Sequence, residues 1–187
     1  MEIYTPLSNK ELSQKKIEEY TKMAKIIQWG RQNPLKFCET FFGLQLIDYQ
    51  AYCFMKTWTA QFALWAECRG AGKDTLAACY YMTRLLLIPD YRLYISSNTY
   101  AQSVESFNKL RDIALKRIPS FKSATDIFSR EVDKNGGTSE TGFLQAPTCR
   151  FRLYNNSQME ALSSNLEAIR GKRGAVWFNE TAWKTAE

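Results

Sequence analysis

Residues 69 to 75 read Arg69-Gly70-Ala71-Gly72-Lys73-Asp74-Thr75, glycines alternating with other residues up to a lysine. This is the composition of a phosphate-binding loop. Glycines let backbone N–H groups close around phosphate oxygens, a following helix adds the partial positive charge of its N-terminus, and the lysine reaches the β- and γ-phosphates. Gly70, Ala71, Gly72, Lys73, Asp74 and Thr75 are the candidate nucleotide-binding residues. The match to GxxxxGK[ST] departs at two places: Glu67 stands where the first glycine belongs, and Asp74 takes the hydroxyl position after the lysine. Further along, Ala175-Val176-Trp177-Phe178 runs into Asn179-Glu180, an apolar strand with an acidic end. A carboxylate at the C-terminal edge of such a strand lies near the phosphates and orients a water for in-line attack, which makes Glu180 the candidate catalytic carboxylate.

These residues need elements to hold them. Phe62 to Cys68 is apolar, bounded and too short for a helix, so it predicts a buried strand leading into the loop. After Lys73 a helix is expected to about Ile88, stopped by Pro89 and Asp90, and Arg92 to Ser97 reads as the next strand. Upstream, Leu12, Tyr20, Met23 and Ile27 recur at helical spacing from Ser8, which with Glu11 forms a capping box, to Trp29, with the helix ending near Gly30. Its charged face of lysines and glutamates reads as solvated. Pro34 opens a second helix that Gly43 closes, and a third runs from about Tyr49 to Trp58. Tyr100 to Ile118 predicts a helix with Ala101, Val104, Phe107 or Leu110 and Ala114 on one face. Asp133 to Gly142 reads as a turn or hairpin, Arg150 to Asn155 as a strand, and Met159 to Ile169 mixes helix and loop signals. Strands alternating with helices imply an α/β fold whose sheet is mostly parallel and flanked by helices. Residues 1–45 form an N-terminal helical segment and 46–187 the nucleotide-binding core.

Composition narrows the chemistry. The 187 residues suffice for one domain with a real core. A formal charge of +6 suits a polyanionic partner. Five cysteines without a CxxC pair argue against a disulfide framework or zinc ribbon and for a reducing compartment. The absence of histidine removes Ser-His-Asp and Cys-His nucleophiles, HExxH zinc sites and histidine bases. No apolar run approaches the roughly 20 residues of a membrane span, and the Lys- and Glu-rich N-terminus lacks a signal-peptide core. A soluble, cytoplasmic protein without membrane contact is expected.

Taken in order, the segments resemble phage terminase large subunits, over about residues 44 to 183. Leu46-Ile47-Asp48-Tyr49-Gln50 looks like that family's adenine-recognition segment, in which a glutamine reads the base. Arg69-Gly70-Ala71-Gly72-Lys73 is similar to its arginine-containing phosphate loop. Tyr94 to Gln102 resembles the strand and helix start that follow, and Ile169-Arg170-Gly171 precedes a strand similar to Walker B. The resemblance implies a P-loop NTPase of the additional-strand type that binds ATP and Mg²⁺, with Gln50 at the adenine and Arg69 sensing or stabilising the γ-phosphate. It also implies hydrolysis that drives double-stranded DNA into a procapsid in a phage-infected or prophage-bearing host. The partners implied are the DNA backbone, a portal protein, a small terminase subunit and, in the complete machine, further copies of the chain. Base-independent DNA contact would be salt-dependent.

The sequence departs from that pattern at the metal. P-loop NTPases hold Mg²⁺ through the Ser/Thr after the lysine and the Walker B aspartate; here those places are Asp74 and Asn179. Asp74 is expected to supply the anionic oxygen, with Asn179 in a minor role, both being hard-oxygen ligands. Alternatively, Asn179 marks an ATPase that binds ATP but turns it over slowly. The family's strand after Walker B, its coupling motif and its nuclease domain are not found in the 187 residues, so the fold is expected to be incomplete at the C-terminus, with an unpaired sheet edge. Two rival functions stand beside the motor: a helicase-like DNA-dependent ATPase, and a non-catalytic nucleic-acid or assembly module that keeps the loop as scaffold.

Overall fold

Proline fixes φ near the helical value and lacks the N–H that a first turn would leave orphaned, so Pro34 opens a helix cleanly. That helix, α2 (Pro34–Phe42), closes at Gly43 in the left-handed conformation, the usual glycine C-cap. It follows α1 (Gln14–Gln32) and precedes α3 (Asp48–Thr59), α4 (Lys73–Leu87), β1 (Arg92–Ser97), α5 (Tyr100–Arg117), β2 (Phe143–Leu144), β3 (Arg150–Arg152), β4 (Gln158–Ser163) and β5 (Val176–Glu180). The computed structural model describes residues 14–68, 70–97, 99–117, 143–144, 149–153, 155–163, 170–172 and 176–180. The expected capping box at Ser8 and the turn at 133–142 lie outside the described residues.

The five strands form one sheet in the order β2-β3-β4-β1-β5. Its centre is parallel, with β1 between β4 and β5, and β2 and β3 extend it antiparallel. The register aligns Leu93 with Met159 and Val176, and Ile95 with Ala161 and Phe178. On that face Leu93, Ile95, Met159, Ala161 and Phe151 are buried in one cluster with Phe107 and Leu110 of α5 and Leu76 and Leu85 of α4. Each buried Leu, Ile, Met or Phe side chain among these contributes about 1.5–3 kcal/mol on leaving water. Across the sheet, the aligned row Arg150, Glu160 and Tyr94 carries an ion cluster. Lys172 Nζ lies 2.9 Å from both Glu160 oxygens, and Arg150 lies 3.8 Å from Glu160.

Four expectations need correction. Residues 62–68 are not a strand: a strand needs a hydrogen-bonding neighbour, and among the described residues none runs beside this segment. Phe62 and Leu64 are 88% and 92% exposed, while Trp65 is anchored by its indole N–H, which donates to Thr57 Oγ1 at 2.8 Å. Of the stretch Met159 to Ile169, read as mixed helix and loop, the described residues 159–163 belong to β4, because Met159 and Ala161 pack into the core while their neighbours face the other way. Helix α1 ends at Gln32, near Gly30 as expected. Gly30 is a packing residue, since a β-carbon there would come within 2.7 Å of both Leu87 and Phe37. The expected apolar positions Tyr20 and Met23 of α1 are exposed. The inward face of α5 centres on Ser103, Ser106, Phe107 and Leu110, with Ala101 outside. Ser103 Oγ donates to the Leu162 carbonyl at 2.7 Å and stitches the helix to β4.

Candidate functional site

The chain enters the site at Cys68. The Ala71 N–H donates to the Cys68 carbonyl at 3.3 Å, and Gly70 sits at φ 87° between them. A four-residue turn with its third residue left-handed takes glycine there. Gly72, at φ 79° and ψ 20°, then serves as the N-cap of α4. Two left-handed residues in three positions make both glycines necessary, because L side chains are disfavoured in that region by about 1–2 kcal/mol. The first glycine of the GxxxxGK pattern is not needed for this turn. Its occupant, Glu67, keeps both carboxylate oxygens out of solvent with no hydrogen-bond partner among the described residues.

With glycine as N-cap, no side chain closes the start of α4. Its first-turn N–H groups have no intrahelical acceptor, and the helix dipole adds positive potential at the same point. Lys73, the first residue of the helix, is exposed, and among the described residues nothing pairs with its ammonium. Gln50, near the start of α3, reaches the loop: its Nε2 donates to the Ala71 carbonyl at 3.2 Å. These features fit an anion such as a polyphosphate.

Asp74 is occupied differently. Its carboxylate lies 3.3 Å from Lys109 Nζ on α5, and Lys109 also lies 3.3 Å from Glu105. Partial burial disfavours the Lys109 charge, but the carboxylates of Asp74 and Glu105 outweigh it and hold the ammonium above its ordinary pKa. Lys109 was not foreseen from the sequence, which gives no local sign that α5 crosses beside the loop. Among the described residues no group of three or more His, Cys, Asp or Glu side chains gathers as a metal cage. Asp74 is the one described carboxylate next to the loop lysine, and a metal would have to share it with Lys109.

Arg69 lies outside the described residues. The register sets Asn179 opposite Ser96, and Glu180 opposite Ser97, which in turn stands opposite Ser163. The three parallel strands thus end in line, at the carboxyl edge where open α/β sheets place ligands. The side chains of Asn179 and Glu180 lie outside the described residues. Ser97 Oγ is fully buried and has no partner among the described residues, a second feature that the sequence did not signal. Thr99 and Gln102 cap α5 reciprocally, Thr99 N–H to Gln102 Oε1 and Gln102 N–H to Thr99 Oγ1, so capping accounts for that part of the Tyr94–Gln102 segment. Arg170 is exposed, and it is Lys172 that ties the Gly171 turn to the sheet.

All five cysteines are free thiols. Cys68 is exposed at the loop, whereas Cys38 is buried and its thiol is pushed up by a hydrogen bond with Cys79 and by burial. Among the described residues no helix is long and apolar enough to cross a membrane. Comparison with models of known protein families and with curated proteins finds none that matches this chain.

Proposed function

We propose that this chain is the ATP-binding and ATP-hydrolysing part of a terminase-type DNA-packaging motor. The observation that carries the reading is the turn of two left-handed glycines, Gly70 and Gly72, into the uncapped N-terminus of α4, whose first residue is the exposed Lys73. Backbone N–H groups of residues 70–75 and the Lys73 ammonium hold the phosphates. Arg69 and Gln50 complete the nucleotide site, at the γ-phosphate and the base. Glu180 orients the attacking water. Asp74 and Asn179 hold Mg²⁺, which when bound neutralises charge on the phosphates. Double-stranded DNA is held by its backbone, and the motor works in the host cytoplasm as a ring of copies with a portal protein and a small subunit.

A second reading, a non-catalytic nucleic-acid or assembly module that keeps the loop as scaffold, is favoured by the unpaired segment 62–68 and by Asn179 at the metal position. A helicase-like ATPase shares the site and differs only in what it moves. Titration calorimetry with Mg·ATP on this chain and on Lys73→Ala tests the nucleotide site. Binding by the wild type that Lys73→Ala removes supports it, and no binding by either rejects it. Steady turnover, lost in Glu180→Gln, then favours the motor, whereas binding without turnover favours the module.

A further inference from the structure

Gln50 does not stand free beside the loop. Its Nε2 donates to the Ala71 carbonyl and lies 3.4 Å from the Tyr49 hydroxyl. A β-carbon on Gly72 would come within 2.8 Å of the same nitrogen. A carbonyl oxygen only accepts, so the contact decides which end of the amide faces the loop. A peptide unit is planar and trans, with its C=O and N–H pointing in opposite directions. Holding the Ala71 carbonyl against Gln50 therefore turns the Gly72 N–H away from α3. That N–H joins the first-turn N–H groups of α4 as the donors a phosphate would meet.

We infer that Gln50 is a positioning residue of the phosphate loop, acting through the Ala71–Gly72 peptide and not chiefly as a reader of the base. The inference rests on the phosphate-loop reading given above. Its Nε2 has two hydrogens, given to the Ala71 carbonyl and the Tyr49 hydroxyl, which leaves Oε1 alone for a base. A single acceptor takes one hydrogen bond from an exocyclic amine, whereas reading adenine at two points needs the amide nitrogen as well. Gln50 therefore discriminates adenine from guanine only weakly, and its main effect falls on the phosphates.

Calorimetry of the 187-residue chain with ATP and with inorganic tripolyphosphate, each with Mg²⁺, separates the two roles. Gln50→Met keeps the bulk and removes the hydrogen bond. It is expected to weaken ATP and tripolyphosphate by the same factor, about 3- to 10-fold, the worth of one hydrogen bond. Gln50→Glu keeps the length and the acceptor but cannot donate to Ala71 and adds a negative charge, and is expected to weaken both probes at least as much as Gln50→Met. A variant that binds tripolyphosphate as the wild type does but ATP more weakly makes Gln50 a base reader and overturns the inference. Tripolyphosphate binding that Lys73→Ala removes and both Gln50 variants retain overturns the inference while sparing the phosphate-loop reading. A wild type that binds neither probe overturns both.

Discussion

At its C-terminal end α4 gives its last carbonyls to its own cap and to groups from two other places in the chain. Ile88 N–H takes Arg84, Asn155 Nδ2 takes Leu85 at 2.7 Å, Arg31 Nε takes Leu87 at 2.7 Å, and Ser157 Oγ donates to Ile88 at 2.7 Å just beyond the helix. At its N-terminal end, by contrast, the cap is a glycine with no side chain, and among the described residues Gln50 is the side chain that reaches the turn, bonding a carbonyl rather than the open N–H groups. A helix that only had to be stable would usually start from Ser, Thr, Asp or Asn in an extended conformation, with its side chain closing the first-turn N–H groups. Here the closed end fastens the helix to β4 and α1, and the open end leaves positive potential for an anion.

The contrast makes opposite predictions for the two ends. The largest effect expected is at Lys73: Lys73→Ala lowers Mg·ATP affinity about 10- to 100-fold, the range for hydrogen bonds to charged groups, with an unchanged urea melt because the side chain is exposed. At the closed end, Ser157→Ala removes a buried hydroxyl that donates to Ile88 and accepts from the Tyr91 N–H. A loss of about 2 kcal/mol is expected in urea denaturation, with nucleotide affinity of the folded protein unchanged. Loss of affinity without loss of stability would mean that the two ends are not separate. Gly72→Ala forces a left-handed alanine and sets its β-carbon against Gln50. It is expected to cost about 1–2 kcal/mol, read as roughly a tenfold drop in ATP affinity. The smallest effect on stability is at Asp74. Its ion pair with Lys109 is about half exposed, so Asp74→Asn changes stability by less than about 1 kcal/mol. That makes the Mg²⁺ dependence of ATP binding in this variant a clean reading: its loss assigns the metal oxygen to Asp74, and its persistence removes Asp74 from that role.

Elements whose ends are set by local chemistry were legible in the sequence. Pro34 and Gly43 bound α2, Pro89 follows α4, and β1 lies at Arg92–Ser97, all as read. Elements defined by a partner were not. Residues 62–68 have a strand's composition, but composition cannot supply the neighbouring backbone. In β4 the polar Gln158, Glu160 and Ser163 mask alternation that becomes plain only once Glu160 meets Lys172 and Arg150. Gly30 illustrates the same limit: a glycine late in a helix reads as a stop, and only the approach of Leu87 and Phe37 shows it to be a point of close packing. For the candidate site, Gln50 meets the loop at Ala71 and Gly72, a contact that no local spacing encodes. The Lys109 contact with Asp74 depends on how α5 crosses α4, which no local motif encodes.

The Trp65 anchor of the 62–68 segment also gives the molecule an optical property. Trp65 is held by its bond to Thr57 and an edge-on contact with the Tyr80 ring, at 6.1 Å between centroids, while Phe62 and Leu64 beside it face water. Indole emission shifts to the red as the ring passes from an apolar cluster to solvent. The difference between the spectra of the wild type and Trp65→Phe therefore reports whether the stretch leading into the loop is seated or released. The chain carries its own fluorescent gauge a few residues from the Gly70–Gly72 turn.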